Sequence, residues 1–166
     1  MIIPDRVIIC GITNDVKMED YLYYDSGILA GEYRNNDKVM TICRGSNGRE
    51  NGKLKPKTYS VEEITNTFYH ELWHAICFSA GYEYNSDDDD IHNELTANLF
   101  GNIAMDKGND CDLTAILNEF KTVVTNIDEQ DYHKLEYVVK HTKFEFDNLQ
   151  HIDEDSEIVD DINIAD

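Results

Sequence analysis

The sequence predicts an α+β domain, with a small N-terminal antiparallel sheet packed on a helical bundle. Short β-branched runs separated by turn-forming residues occupy the first 45 positions, and apolar residues at helical spacing follow from Val61 to Val139. A helix-start signal marks the changeover between the two. At 166 residues and 41% hydrophobic content, the chain is the length of one domain and can bury a core without disulfide staples.

The first predicted strand is Val7 to Cys10, and the next two are Ile28 to Arg34 and Lys38 to Cys43. Asn35-Asn36-Asp37 suits a tight turn and makes the latter pair a β-hairpin. Residues 44 to 57 hold three glycines, Pro56 and the cations Arg44, Arg49, Lys53, Lys55 and Lys57, a composition that predicts an exposed basic loop. Ser60-Val61-Glu62-Glu63 is a capping box, in which the Ser60 hydroxyl and the Glu63 carboxylate each satisfy a free backbone N–H. A helix is expected from there to Gly81, with Val61, Ile64, Phe68, Leu72, Ala75 and Ile76 on one buried stripe.

Asp87 to Asp90 precede a second predicted helix, from about Ile91 to Lys107, where carboxylates favour the positive end of the helix dipole and Gly108 is the stop. A third helix, from about Asp112 to Thr125, has Leu113, Ile116, Leu117, Phe120 and Val124 as its core face. Leu135, Val138 and Val139 predict a fourth. After Lys143 there is no Lys or Arg but nine Asp and Glu, so residues 1–143 are expected to form one domain and 144–166 a disordered acidic tail.

Fourteen Lys and Arg against 34 Asp and Glu give a formal charge of -20, which repels phosphate backbones and argues against a nucleic-acid partner. Cys10, Cys43, Cys77 and Cys111 are scattered without a CxxC pair, as expected of reduced thiols in a cytoplasm. No run of about 18 apolar residues occurs and the N-terminus lacks a leader pattern, so a soluble, unexported, cytoplasmic protein with no membrane partner is expected.

The residues that carry chemistry lie in the first predicted helix, in His70-Glu71-Leu72-Trp73-His74. Histidines four apart lie one above the other on a helix, so both ring nitrogens can reach one metal ion at about 2.0–2.1 Å. Glu71 points beside that ion and can take a proton from its bound water without being a ligand. Chance produces such a pattern in on the order of one chain in a few hundred of this length, and the helical context lowers that competitor.

A catalytic zinc takes three protein ligands, and Glu94, twenty residues beyond His74 near the start of the second helix, is the expected third. His92 is its rival, facing the opposite side of the same helix, and Cys77 is better explained as a small core residue. Tyr69, Tyr82, Tyr84 and His92 are near enough in sequence to stabilise an oxyanion, with nothing to choose between them. The strand Val39 to Ile42 could hold an extended substrate by β-addition.

HELWH, a turn, and Glu94-x-x-x-Asn98 together resemble a gluzincin, the zinc metallopeptidase class whose third ligand is a glutamate on a following helix. The likeness is greatest to the small metallopeptidase-like proteins of bacteriophages and prophages. It extends to the Gly27–Tyr33 and Val39–Ile42 hairpin and the Glu94–Phe100 helix, about residues 7 to 107.

The resemblance implies a zincin-like domain with Zn2+ on His70, His74 and Glu94, and Glu71 as base in a hydrolase acting on a protein or peptide substrate, in the cytoplasm of a bacterial host. Many gluzincins have Asp where Asn98 stands. The competing expectation is a non-enzymatic acidic phage-type protein, a DNA mimic or partner-binding decoy whose zinc site is structural or vestigial. The charge of -20 suits that role without any use of His70 or His74.

Overall fold

A computed structural model describes residues 2–24, 27–50, 53–82, 93–108, 112–147 and 150–151. In chain order come β1 (Ile2–Ile3), β2 (Arg6–Ile9), β3 (Ile12–Glu19), β4 (Leu22–Tyr24), β5 (Gly27–Leu29), β6 (Gly31–Arg34), β7 (Val39–Cys43), β8 (Gly45–Glu50) and β9 (Lys53–Thr58). Helices α1 (Val61–Ser79), α2 (Glu94–Lys107), α3 (Leu113–Val123) and α4 (Glu129–Lys140) follow, and then β10 (Thr142–Glu145) and β11 (Gln150–His151). The architecture is α+β, as the sequence predicts.

The main sheet has the order β10-β2-β3-β7-β6. It is mixed rather than antiparallel, because the β6–β7 hairpin docks through β7, which runs parallel to β3 from Asp15↔Val39 to Glu19↔Cys43. Three smaller two-stranded pairs, β1–β11, β4–β5 and β8–β9, complete the strands.

Helix α1 is the centre of the fold, with eleven of its 19 residues buried, more than a single apolar stripe requires. Ile64, Phe68, Leu72 and Ile76 share a core with Val7, Ile9, Val16, Met40 and Ile42 of the sheet and with Trp73 and the inward faces of α2 to α4. Trp73 stacks on Phe100 of α2 with ring centroids 4.6 Å apart and lies 4.5 Å from Phe120 of α3. Each such side chain contributes about 1.5–3 kcal/mol by leaving water. The stack therefore fixes where α2 crosses α1, and that crossing positions the site.

The capping box forms as expected: Glu63 N–H donates to Ser60 Oγ at 3.2 Å and Ser60 N–H to Glu63 Oε2 at 2.9 Å. Three expectations are corrected and one strand is added. Residues 44–57 are not a loop but the β8–β9 hairpin, where alternation along Lys53-Leu54-Lys55-Pro56-Lys57 permits a ladder that composition alone hides. The strand β3 was not expected, because its polar positions dilute the alternation; only Asn14 and Val16 within it are buried.

The second helix begins at Glu94 rather than Ile91, since the Asn93 side chain accepts the Thr96 N–H at 2.9 Å and caps it there. The run Asp87 to Asp90 lies outside the described residues. The boundary after residue 143 falls inside β10, whose Phe144 pairs with Val7 and meets the Phe68 ring edge-on at 5.9 Å. Residues 152–166, most of the expected tail, lie outside the described residues. Among the described residues no helix is long and apolar enough to cross a membrane.

Candidate metal centre

His70 and His74 stand one turn apart on α1, and their Nε2 atoms are 3.2 Å from each other. Glu94, the first residue of α2, reaches across with Oε2 at 3.1 Å from His70 Nε2 and Oε1 at 3.4 Å from His74 Nε2. The three donor groups all lie within 4.8 Å of one another. Two ligand atoms on one tetrahedral zinc are separated by about 3.3 Å, given metal–ligand bonds of about 2.0–2.1 Å, so these spacings fit a common ion. The expected trio is thus brought together. His92 lies outside the described residues, and Cys77 is buried in the core.

The protonation pattern suits ligation. Nδ1 of His70 lies 3.0 Å from Asn98 Oδ1, one turn after Glu94. In the neutral ring Nδ1–H donates to that oxygen and leaves the Nε2 lone pair aimed at His74 and Glu94. Asn98 therefore supplies the acceptor that the sequence left in question. Burial disfavours a charge on His70, but the hydrogen bond to Glu94 and the charges of Glu71 and Glu94 outweigh it, so its pKa is raised. The two imidazoles in turn hold the Glu94 carboxyl far below the usual carboxylate range. A metal ion would replace the protons in both contacts.

Glu71 is 6% exposed, with Oε1 4.0 Å from His70 Nε2, so it sits beside the trio rather than within it. Burial pushes its carboxyl up to about 7, against the opposing pull of His70 and of the Tyr33 N–H that donates to it. That is the range in which a carboxylate can both take and return a proton near neutrality.

The trio opens into a cleft of about 590 Å3 between α1 and β6. The floor is one stripe of α1, running from Asn66 past His70 and His74 to Phe78, and the far wall is Leu29 to Tyr33. Gly31 explains how the wall comes so close: a Cβ there would lie 2.6 Å from Thr67 Cγ2 and 3.0 Å from Glu71 Cγ. The sequence reading missed Gly31; a glycine within a predicted strand is the signal of such an approach.

The strand expected to hold substrate is corrected as well. Val39–Cys43 is paired on both sides, by β3 and by β6, and has no free edge. Among the described residues no strand pairs with the outer edge of β6, where the Tyr33 N–H donates to Glu71. Cys43 N–H donates to Ala30 O at 2.8 Å, so by the alternation of an antiparallel pair Gly31 and Tyr33 turn their backbone groups away from β7. Of the suggested oxyanion donors, Tyr69 is buried against Phe68, Tyr82 hydrogen-bonds Asp131, and neither lines the cleft. Tyr84 lies outside the described residues.

Two further contacts hold the metal corner together. Trp73 Nε1–H donates to Thr96 Oγ1 at 3.3 Å, tying the first turn of α2 to α1. Gly101, in mid-helix where alanine would be about 1 kcal/mol better, faces Asn66, and a Cβ there would lie 2.9 Å from the Asn66 carbonyl oxygen. No protein-family model, curated protein or solved structure matches the chain.

Proposed function

We propose that this chain is a zinc-dependent, metallopeptidase-like hydrolase. The observation that carries the reading is the convergence of His70, His74 and Glu94 at the mouth of a cleft whose nearest buried carboxylate is Glu71. Three ligands from two helices match the number a catalytic zinc uses, and two histidines with one carboxylate match its donor chemistry. Bound there, zinc would supply Lewis acidity to a carbonyl and lower the pKa of a water to about 7.

The chain's own groups do the rest. Asn98 orients His70, Glu71 accepts a proton from the attacking water and returns it to the leaving amine, and the α1 stripe holds the substrate close. The outward backbone groups of Gly31 and the outward carbonyl of Tyr33 support an extended peptide added to β6, which makes a peptide bond the favoured target. The gluzincin resemblance of HELWH and Glu94 points the same way.

The net charge of -20 favours one other reading, an acidic decoy for a basic partner that uses the metal for structure only. Chelation and salt separate the two. Hydrolysis of a mixed peptide library should stop with chelator and return with zinc, whereas decoy binding should survive chelation and weaken with salt. Glu71→Gln should retain zinc and lose hydrolysis by a factor of about 100 or more, while His74→Ala loses both. A Glu71→Gln protein that hydrolyses as fast as the parent would remove the base from this scheme.

A further inference from the structure

Lys38 closes the β6–β7 turn in a conformation that lysine seldom adopts, with φ at 55°. Its N–H donates to Asn35 O at 3.3 Å, and its carbonyl accepts from Asp15 N–H at 2.8 Å, so the backbone is held on both sides. Glycine or asparagine would fill this position without strain. Lysine here carries a backbone cost that glycine would not.

The Lys38 side chain reaches the cleft lining without being part of it. Its ammonium donates to Asn35 Oδ1 and lies 5.1 Å from the centroid of the Phe78 ring, and Asn35 and Phe78 both line the cleft. Phe78 is one turn beyond His74 on the same α1 stripe, so the ammonium stands beside the lining at the Phe78 end of the cleft, one turn past the metal corner. In a chain where 34 carboxylates face 14 Lys and Arg, it has no carboxylate partner among the described residues. The adjacent Asp37 pairs instead with Arg34, at 3.5 Å. An ammonium set on an aromatic face and one amide oxygen keeps its charge and has further N–H donors for an anion bound at that end of the cleft.

We propose that Lys38 determines specificity by receiving a carboxylate of the substrate at the Phe78 end of the cleft, one helical turn beyond His74. The carboxylate is an acidic side chain or a chain terminus. This inference rests on the metal-centred reading above. It makes the favoured substrate an acidic or C-terminal peptide segment, a choice the chain's overall negative charge would not lead one to expect.

The test uses the full zinc-loaded chain and monohydroxamates of linear dicarboxylic acids of increasing length, each beside its terminal amide. The hydroxamate anchors at the metal and the far end samples the cleft. Calorimetry should show one length at which the carboxylate binds about tenfold tighter than the amide. That difference should vanish in Lys38→Met and in Lys38→Gly. Lys38→Gly should also melt at a higher temperature, since it relieves the positive φ, so its lost preference would not be a folding defect.

Equal binding of acid and amide at every length, or a preference that survives Lys38→Met, would overturn the role of Lys38 and leave the metal site standing. No hydroxamate binding at all would overturn both. Hydrolysis of matched peptides, with Glu or Gln inside and a free or amidated end, then tells the two carboxylate sources apart.

Discussion

A helix pair, α1 and α2, stands on one side of the cleft and a single edge strand, β6, on the other; the two walls are held by different means. The helical wall is anchored by the Trp73, Phe100 and Phe120 stack and by caps that fix where each helix starts, so its ligands are placed by local geometry and a deep core. Among the described residues the strand wall β6 pairs with β7 alone, and it is brought against α1 by the absence of a side chain at Gly31. On the proposed function the metal would depend on the helical wall alone and the substrate on both walls, so a change in the strand wall should disturb the substrate and spare the metal.

Two glycine substitutions break the comparison in opposite directions, and they carry the largest expected effects. Gly31→Ala forces a methyl against Thr67 and Glu71 and should cost about 1–3 kcal/mol, with hydrolysis falling steeply while zinc affinity is kept. Gly101→Ala gains helix propensity of about 1 kcal/mol and loses a similar amount to its clash with Asn66, so stability should hardly move. Its effect should fall instead on zinc affinity, by about tenfold, because α2 and its Glu94 shift away from the histidine pair. Melting curves and zinc titrations on both variants check this. Equal effects of the two on metal affinity would show that the walls are not independent.

A smaller change sharpens the account of the helical wall. Asn98→Ala removes the acceptor at 3.0 Å from His70 Nδ1 and should weaken zinc by a factor of about 5, the loss of a neutral acceptor's hold on tautomer and orientation, with the fold intact. Asn98→Asp should restore or exceed the parent affinity, since a carboxylate accepts the same hydrogen more strongly. An Asn98→Ala protein with parental zinc affinity would reduce this contact to packing.

What the sequence made legible follows the same division. His70, Glu71 and His74 declare themselves because helix geometry converts a spacing of four into one face, and the Ser60 capping box shows where that helix begins. Glu94 could be named because it opens the next helix, although the start of that helix was misplaced: Asp87 to Asp90 look like a helix start, while the cap that acts is Asn93. The strand wall was not legible. Which strand is an edge depends on the parallel docking of β7 on β3, a pairing between distant segments that no local pattern records. The β8–β9 hairpin was hidden for a related reason, since glycines, a proline and charges can also compose a ladder. Local periodicity identifies the ligands, and long-range pairing decides what faces them.

The most direct measurement of the central claim is the zinc content and coordination of the purified chain, by metal analysis together with X-ray absorption at the zinc edge. The account predicts one zinc per chain, bound by two imidazole nitrogens and one carboxylate at about 2.0–2.2 Å, with the carboxylate signal lost in Glu94→Ala. No stoichiometric zinc after reconstitution, or a zinc shell unchanged by Glu94→Ala, would contradict it.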